Sequence, residues 1–454
     1  MPGLKVDIHQ FLKIAIPLGA AYLAEYAMFI TTKIVVGKLG YHHLAAVGIA
    51  GDLSFEVLVI LMGLLSIVGV LAAQAEGAGN KSEVGKSVRQ GMLVASMIGI
   101  PAMVLIWNLD LVFHATRQDP VVIELAIPYL QGLSGLVLPV LWFAVFRNFV
   151  AVLAQPLAVM VITLAAVFMN YLLTVWFVYG GFGLAAMGMF GAGLATTLVS
   201  WLMFFCLTLY IFRKPGLRGY GIFKSNWRFD WPICAEIMRL GIPVAALVFL
   251  EAGLFIATSI LSGIISAKTL AAYAVVMSWV GIPFVIALGM AEATMVLVAR
   301  AVGRKQIHAV RRAGYLGMTL GAGLLILMVI VPLGLADQII NIFISPADPG
   351  FVEVSKLATQ FLMIAAIFQV FDGLQAIASR ALRGLKDSVA PLLIAGFGYW
   401  ILGIGGGSLL AFHYAFGGAG LWWGLAIGLS VTASLLCWRF NRLTTNHPVW
   451  SAAS

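Results

Sequence analysis

Long apolar runs alternate with short polar interruptions along the whole chain. About 20 consecutive apolar residues suffice to cross a bilayer as a helix. Twelve runs of that length are legible, near 13–37, 45–73, 90–112, 123–146, 157–179, 188–212, 239–265, 270–298, 313–335, 356–380, 388–412 and 418–440. The interruptions carry turn chemistry: Gly77-Ala78-Gly79-Asn80-Lys81, Asp119-Pro120, Gln155-Pro156, Gly180-Gly181, Pro346-Ala347-Asp348-Pro349-Gly350 and Gly417-Gly418. The most polar interruption, 213–238, reads as a linker between a six-helix bundle over 1–212 and a second over 239–454. The expected fold is therefore an all-α integral membrane protein with twelve transmembrane helices.

The two halves repeat each other. IAIPLGAAYLAEYAMF in the first corresponds to LGIPVAALVFLEAGLF in the second. Pro17 matches Pro243, Glu25 matches Glu251, Phe29 matches Phe255 and Gly63 matches Gly289, every pair 226 residues apart. Six spans per half give both halves one orientation, so they should be related by a pseudo-two-fold axis along the membrane normal, around a central cavity.

Composition supports lipid as the solvent. The chain is 62% hydrophobic and 10% charged, with a mean hydropathy of +1.03. A soluble protein of this size needs far more polar surface. Residues Met1–Lys13 are mildly basic and run into a full-length span without a small-residue cleavage site, so the first span is expected to be retained. The net charge of +9 raises the question of nucleic acid. Its distribution answers it: with the N-terminus inside, 22 of the 27 Lys and Arg fall on cytoplasmic segments, Arg147 and Lys224 among them, and 5 on the other side. That asymmetry predicts cytoplasmic termini and no nucleic-acid partner. Cys206, Cys234 and Cys437 form no metal or disulfide pattern.

Acids at bilayer depth cost about 2.5–3.5 kcal/mol on insertion scales and persist where they line a cavity or find a partner. Three sit near mid-span: Glu25, Glu251 and Asp372. Each can carry a proton between the two faces or ligate a hard cation such as Na⁺; a carboxyl that merely fixes helix packing is the alternative. Asp52 and Glu56 share a face of the second span near its outer end. Glu292 reads as a structural or gating acid. Asn170 and Thr174, spaced i, i+4, present polar groups either to a cavity or to a neighbouring helix. Phe368, Tyr399 and other aromatics near the acids offer faces to organic cations, or simply pack. GMFGAG at 188–193 follows no strand and reads as close helix packing. Walker, GxSxG and HExxH motifs are absent, so the sequence supports neither an ATP-driven pump nor a common hydrolase.

The stretch FQVFDGLQAIASRALRGLKDSVAPL from Phe368 to Leu392, the segment RLGIPVAALVFLEAGLF and the run FVYGGFG at 177–183 resemble the multidrug and toxic compound extrusion (MATE) transporters, most closely their bacterial NorM-type branch. The resemblance covers nearly the whole chain. It places Glu251 on the family's TM7 glutamate, Asp372 on its TM10 aspartate and Asn170 on its TM5 asparagine. It implies alternating-access antiport of amphipathic, often cationic drugs against Na⁺ or H⁺, by a monomer in the bacterial inner membrane, with lipid around it, no enzymatic activity and no cofactor. The coupling ion would sit at Glu251 and Asp372, including any Na⁺. One departure stands out: Thr32 occupies the place of the usual TM1 aspartate, and Glu25 lies two helical turns earlier, about 10 Å away. The alternative function is a lipid-linked oligosaccharide flippase of the wider superfamily. That activity calls for basic residues in the cavity, where the mid-span charges noted above are acidic.

Overall fold

The computed structural model of the chain describes residues 2–181, 183, 185–223, 228–343 and 350–446. The turn at Pro346–Pro349 and Lys224 of the linker lie outside the described residues. Among the described residues the chain is helical and contains no β-strand element. Among the described residues eleven helices are long and apolar enough to cross a membrane, and one bent pair, taken as a single span, makes a twelfth.

We number the spans α1 (Pro2–Gly37), α2 (Tyr41–Gly77), α3 (Lys81–Trp107), α4 (Pro120–Ser134 with Val137–Val152), α5 (Leu157–Tyr179), α6 (Gly188–Arg213), α7 (Trp231–Ile265), α8 (Ala267–Gly303), α9 (Ile307–Gly334), α10 (Phe351–Gly384), α11 (Val389–His413) and α12 (Gly417–Asn446). The two pieces of α4 meet at 47°. The sequence predicts the starts of several helices. Asn80 accepts from Glu83 N–H, Ser266 from Thr269 N–H and Asp119 from Val121 N–H, each satisfying an amide that the first turn leaves open.

The chain forms two compact units: residues 20–245 (the first unit) and residues 1–19 with 246–454 (the second unit). Their borders fall two residues after Pro17 and Pro243, inside α1 and α7. The polar 213–238 segment lies within the first unit. There it is strapped to α3: Arg89 donates to Gly221 C=O at 2.6 Å, and Gln90 donates to Arg228 C=O at 2.8 Å and accepts from Asp230 N–H at 3.0 Å. Lys86 pairs with Asp230 at 2.6 Å. That hydrogen bond, aided by Ile233 N–H, holds the Asp230 carboxyl below the usual carboxylate range. A carboxyl lowered in this way favours the fold above its unfolded pKa, and the contribution is lost as pH falls through the lower, folded value.

Inside each unit, small residues let helices approach closely. In the first unit a Cβ on Gly193 of the GMFGAG run would stand 2.3 Å from Tyr129 C=O on α4, so close packing is indeed what this run serves. In the second unit a Cβ on Gly289 (α8) would meet Gly19 N at 2.5 Å. The mirror arrangement in the first unit sets Gly241 (α7) against Leu64 C=O (α2) at 2.8 Å.

The sequence pattern did not foresee one local departure. From Phe397 to Gly406, α11 winds as a π-helix, the wider i→i+5 form associated with functional sites. Its glycines face those of α12: a Cβ on Gly424 would lie 2.3 Å from Gly407 Cα and 2.5 Å from Gly403 C=O. Gly424→Ala is therefore expected to destabilise the protein by about 1–3 kcal/mol. Gly406→Ala, with no neighbour within 4 Å, should be neutral or mildly stabilising. Thermal unfolding in detergent compares the two.

Candidate functional site

Polar side chains gather at two places, one in each unit. In the second unit α10 carries Gln369, Asp372 and Gln375 at i, i+3 and i+6, all buried along one face. Gln375 Nε2 donates to Glu251 Oε1 on α7 at 3.0 Å. Tyr399, fully buried on the π-helical stretch, donates from Oη to Gln375 Oε1 at 2.8 Å. Trp279 Nε1 on α8 donates to Gln369 Oε1 at 3.3 Å. Asp372 is close enough to Glu251 for their charges to interact. Its Oδ1 is buried without a hydrogen-bond partner among the described residues, as is Gln369 Nε2. A buried carboxylate oxygen left open, such as Asp372 Oδ1, is costly in a native protein and can take up a proton or a cation.

The chemistry available here is oxygen-rich: two carboxylates, an amide oxygen and a phenol. Such a set holds a proton between the acids or offers hard ligands to a small cation. Among the described residues no group of three or more His, Cys, Asp and Glu is placed to hold a metal ion.

In the first unit Asn170 on α5 donates from Nδ2 to Thr32 Oγ1 at 3.1 Å and to Met28 C=O at 3.2 Å. Thr32 in turn donates to Met28 C=O at 3.1 Å. Asn170 Oδ1 and Thr174 Oγ1 are buried and lack a hydrogen-bond partner among the described residues. The structure thus joins Asn170, Thr32 and α1 backbone in one cluster, with Thr174 a turn further along α5.

Glu25 belongs to a different arrangement. Both its oxygens accept from Arg147 Nη1 on α4, at 2.7 and 2.9 Å, with side-chain exposures of 18% for Glu25 and 5% for Arg147. The guanidinium also lies 4.6 Å from the Tyr22 ring centroid. Sequence reasoning paired Glu25 with no cation; its partner here is a buried arginine. Arg147 was assigned to a cytoplasmic segment, yet it is buried within the second piece of α4. The assigned span ended at 146, one residue short, although the apolar run FAVFRNFVAV continues on both sides of the arginine.

Other expected residues are placed as follows. Phe368 is fully buried between Phe255 and Trp422, with ring centroids at 6.2 and 5.7 Å, so its faces are taken up by core packing and none is presented to a cation. Asp52 pairs with Lys33 at 2.6 Å. Glu292 pairs with Arg380 of α10 at 2.8 Å, consistent with a structural acid. Sequence reasoning missed Gln369 and Gln375. Their i, i+3, i+6 spacing around Asp372 was the available signal.

Up to twelve candidate spans among the described residues, an internal repeat and buried polar side chains at helix interfaces make a multi-pass membrane protein with the organisation of a transporter. The MatE family model matches residues 17–176 and 243–408, one match in each half, and the chain belongs to that family. A protein of Mesorhizobium japonicum described as "Probable multidrug resistance protein NorM" is 36% identical over 438 residues, covering 96% of this chain and 94% of the relative. One of Brucella suis biovar 1 with the same description is 36% identical over 433 residues, covering 95% and 92%. Among solved structures, the eukaryotic MATE transporter AtDTX14 superposes with a TM-score of 0.88 at 23% identity, over 99% of this chain and 98% of that one. An outward-facing multidrug resistance MATE family transporter gives 0.86 at 20% identity, over 96% of each chain.

Proposed function

We propose that this chain is a multidrug efflux antiporter: it exports amphipathic, often cationic organic compounds by alternating access, driven by Na⁺ or H⁺ moving inward. The observation that carries the reading is the Glu251–Gln375–Tyr399 chain, half-buried at Glu251 and buried at Gln375 and Tyr399, beside the buried Asp372, whose Oδ1 is left open. Glu251 and Asp372 take up the coupling ion, Gln375 and Tyr399 hold Glu251 in place, and the Asn170–Thr32 cluster with Thr174 provides polar contacts for substrate. The relatives' description as multidrug resistance proteins supports the substrate class. A flippase for anionic lipid carriers would use an open cationic group. Arg147, the buried cation among the described residues of the first unit, is already bonded to Glu25. We place the protein in the bacterial inner membrane as a monomer with both termini cytoplasmic, following the basic asymmetry.

Two measurements test this. Purified protein in vesicles should expel a fluorescent organic cation when a pH gradient or a Na⁺ gradient is imposed separately. Efflux under one gradient names the ion, and no efflux under either overturns antiport. A reporter fused after Ser454 should be active on the cytoplasmic side, and activity only on the outer side would invert the topology.

A further inference from the structure

A cavity of about 740 Å³ in the second unit lies among the first turns of α1, the end of α8 and the start of α9. Arg300, Arg304, Lys305, His308 and Arg312 line it, and Asp7 is the acid among its lining residues. Arg312 pairs with Asp7 at 2.5 Å. Arg304, Lys305 and His308 are exposed and make no side-chain hydrogen bond or ion pair among the described residues.

The internal repeat supplies a control for this turn. At the offset of 226 the backbone is the same in both halves. Ala78, Gly79 and Asn80 donate to the carbonyls of Gln74, Glu76 and Ala75; Arg304, Lys305 and Gln306 donate to those of Arg300, Val302 and Ala301. The charges differ, although Ala75 matches Ala301 and Val84 matches Val310. Over 74–86 two lysines balance Glu76 and Glu83, whereas over 300–312 four arginines and a lysine stand with no acid. Both turns follow an even number of spans and so lie on one side of the membrane. The positive-inside preference acts on both alike and does not account for a charge excess in one.

Two further features point the same way. Gly79 sits at φ 76°, where glycine is at ease, but its counterpart Lys305 holds φ 57° with a side chain attached. A strained backbone position that keeps a cation is a reason to look for what the cation binds. The start of α3 is capped by the Asn80 side chain and has Glu83 in its first turn. The start of α9 has no side-chain cap from Gln306 and no acid in its first turn. Its open N–H groups and positive dipole end add to the cations that line the cavity.

We propose that this cavity is a phosphate-binding site, in which Arg304, Lys305 and the open start of α9 take a phosphate group carried by an anionic phospholipid or free in solution. Arginine forks and lysine point charges both suit phosphate oxygens. On the topology proposed above, the site faces the cytoplasm, where anionic headgroups are within reach of the end of α8.

The test uses the full-length protein and reads binding without transport, so its failure is separate from failure of the antiport reading. Protein in detergent is incubated with phosphatidylglycerol or phosphatidylcholine, and retained lipid is counted by native mass spectrometry. Thermal unfolding is followed in inorganic phosphate and in chloride at matched ionic strength. The variant is Arg304→Ala with Lys305→Gly; the glycine restores the first-half residue and relieves the φ, so folding is preserved. Wild type should retain phosphatidylglycerol over phosphatidylcholine, and the variant should retain it at least about tenfold less. If inorganic phosphate stabilises wild type and displaces the lipid, the natural ligand is a free phosphate. If it does neither, the ligand is the lipid headgroup. Equal retention of both lipids with no phosphate effect, or a variant that behaves as wild type, overturns the site.

Discussion

Glu251→Gln and Asp372→Asn should each bring efflux down to the level of vesicles without protein, at unchanged expression. Both substitutions keep side-chain shape and remove the charge that a proton or cation requires. In Glu251→Gln the new amide oxygen would still accept from Gln375 Nε2, and Asp372 Oδ1 has no hydrogen-bond partner to lose. Folding should therefore be preserved, and thermal unfolding should shift little or upward, since an ionisable group leaves a half-buried site at Glu251 and a buried one at Asp372. Gln375→Leu probes the positioning role. It removes the amide that bonds both Glu251 and Tyr399, so efflux should persist with a changed dependence on pH or Na⁺. Full efflux in both acid variants would remove Glu251 and Asp372 from the coupling step.

The second large effect belongs to Glu25 and Arg147. Arg147→Met leaves a carboxylate in a mostly buried position without its cation, and breaking a buried pair in this way costs about 3–5 kcal/mol. Glu25→Gln leaves the cation without its anion and should cost less, because the amide still accepts one hydrogen bond. The double variant removes both charges and should recover most of the loss, the signature of a coupled pair in a double-mutant cycle. Efflux per folded molecule should match wild type in all three. A double variant that is stable yet unable to transport would instead give Glu25 a part in transport.

Span positions, the repeat and the mid-span acids were all legible in the sequence, because apolar periodicity and isolated charges in apolar runs are local signals. Asn170 and Thr32 were picked out singly, and the structure joins them. Partner choice was not legible. Arg147 reads as a loop cation because a lone charge suggests the end of a run, whereas apolar residues continue past it and the second piece of α4 extends to Val152. Aromatic spacing did not separate Tyr399, which enters the polar chain, from Phe368, which fills the core between Phe255 and Trp422. The distinction arises from the π-helical stretch and the glycine contact with α12, neither of which leaves a periodic mark.

The borders at Gly19 and Ala245 bear on how the chain can be made. Neither repeat contains all the pieces of one compact unit: residues 1–19 complete the second unit, and 231–245 of α7 complete the first. During synthesis the start of α1 emerges first, yet Gly19 finds Gly289 only after 270 further residues. The first unit closes when α7 arrives, while the opening turns of α1 wait for α8. Non-local closure of this kind is slow and leaves apolar surface uncovered in the interval. Cutting the gene within 213–238 would therefore not yield two self-sufficient halves. Each fragment would emerge lacking a half-helix that the other carries, and co-expression would be needed for either to be recovered folded.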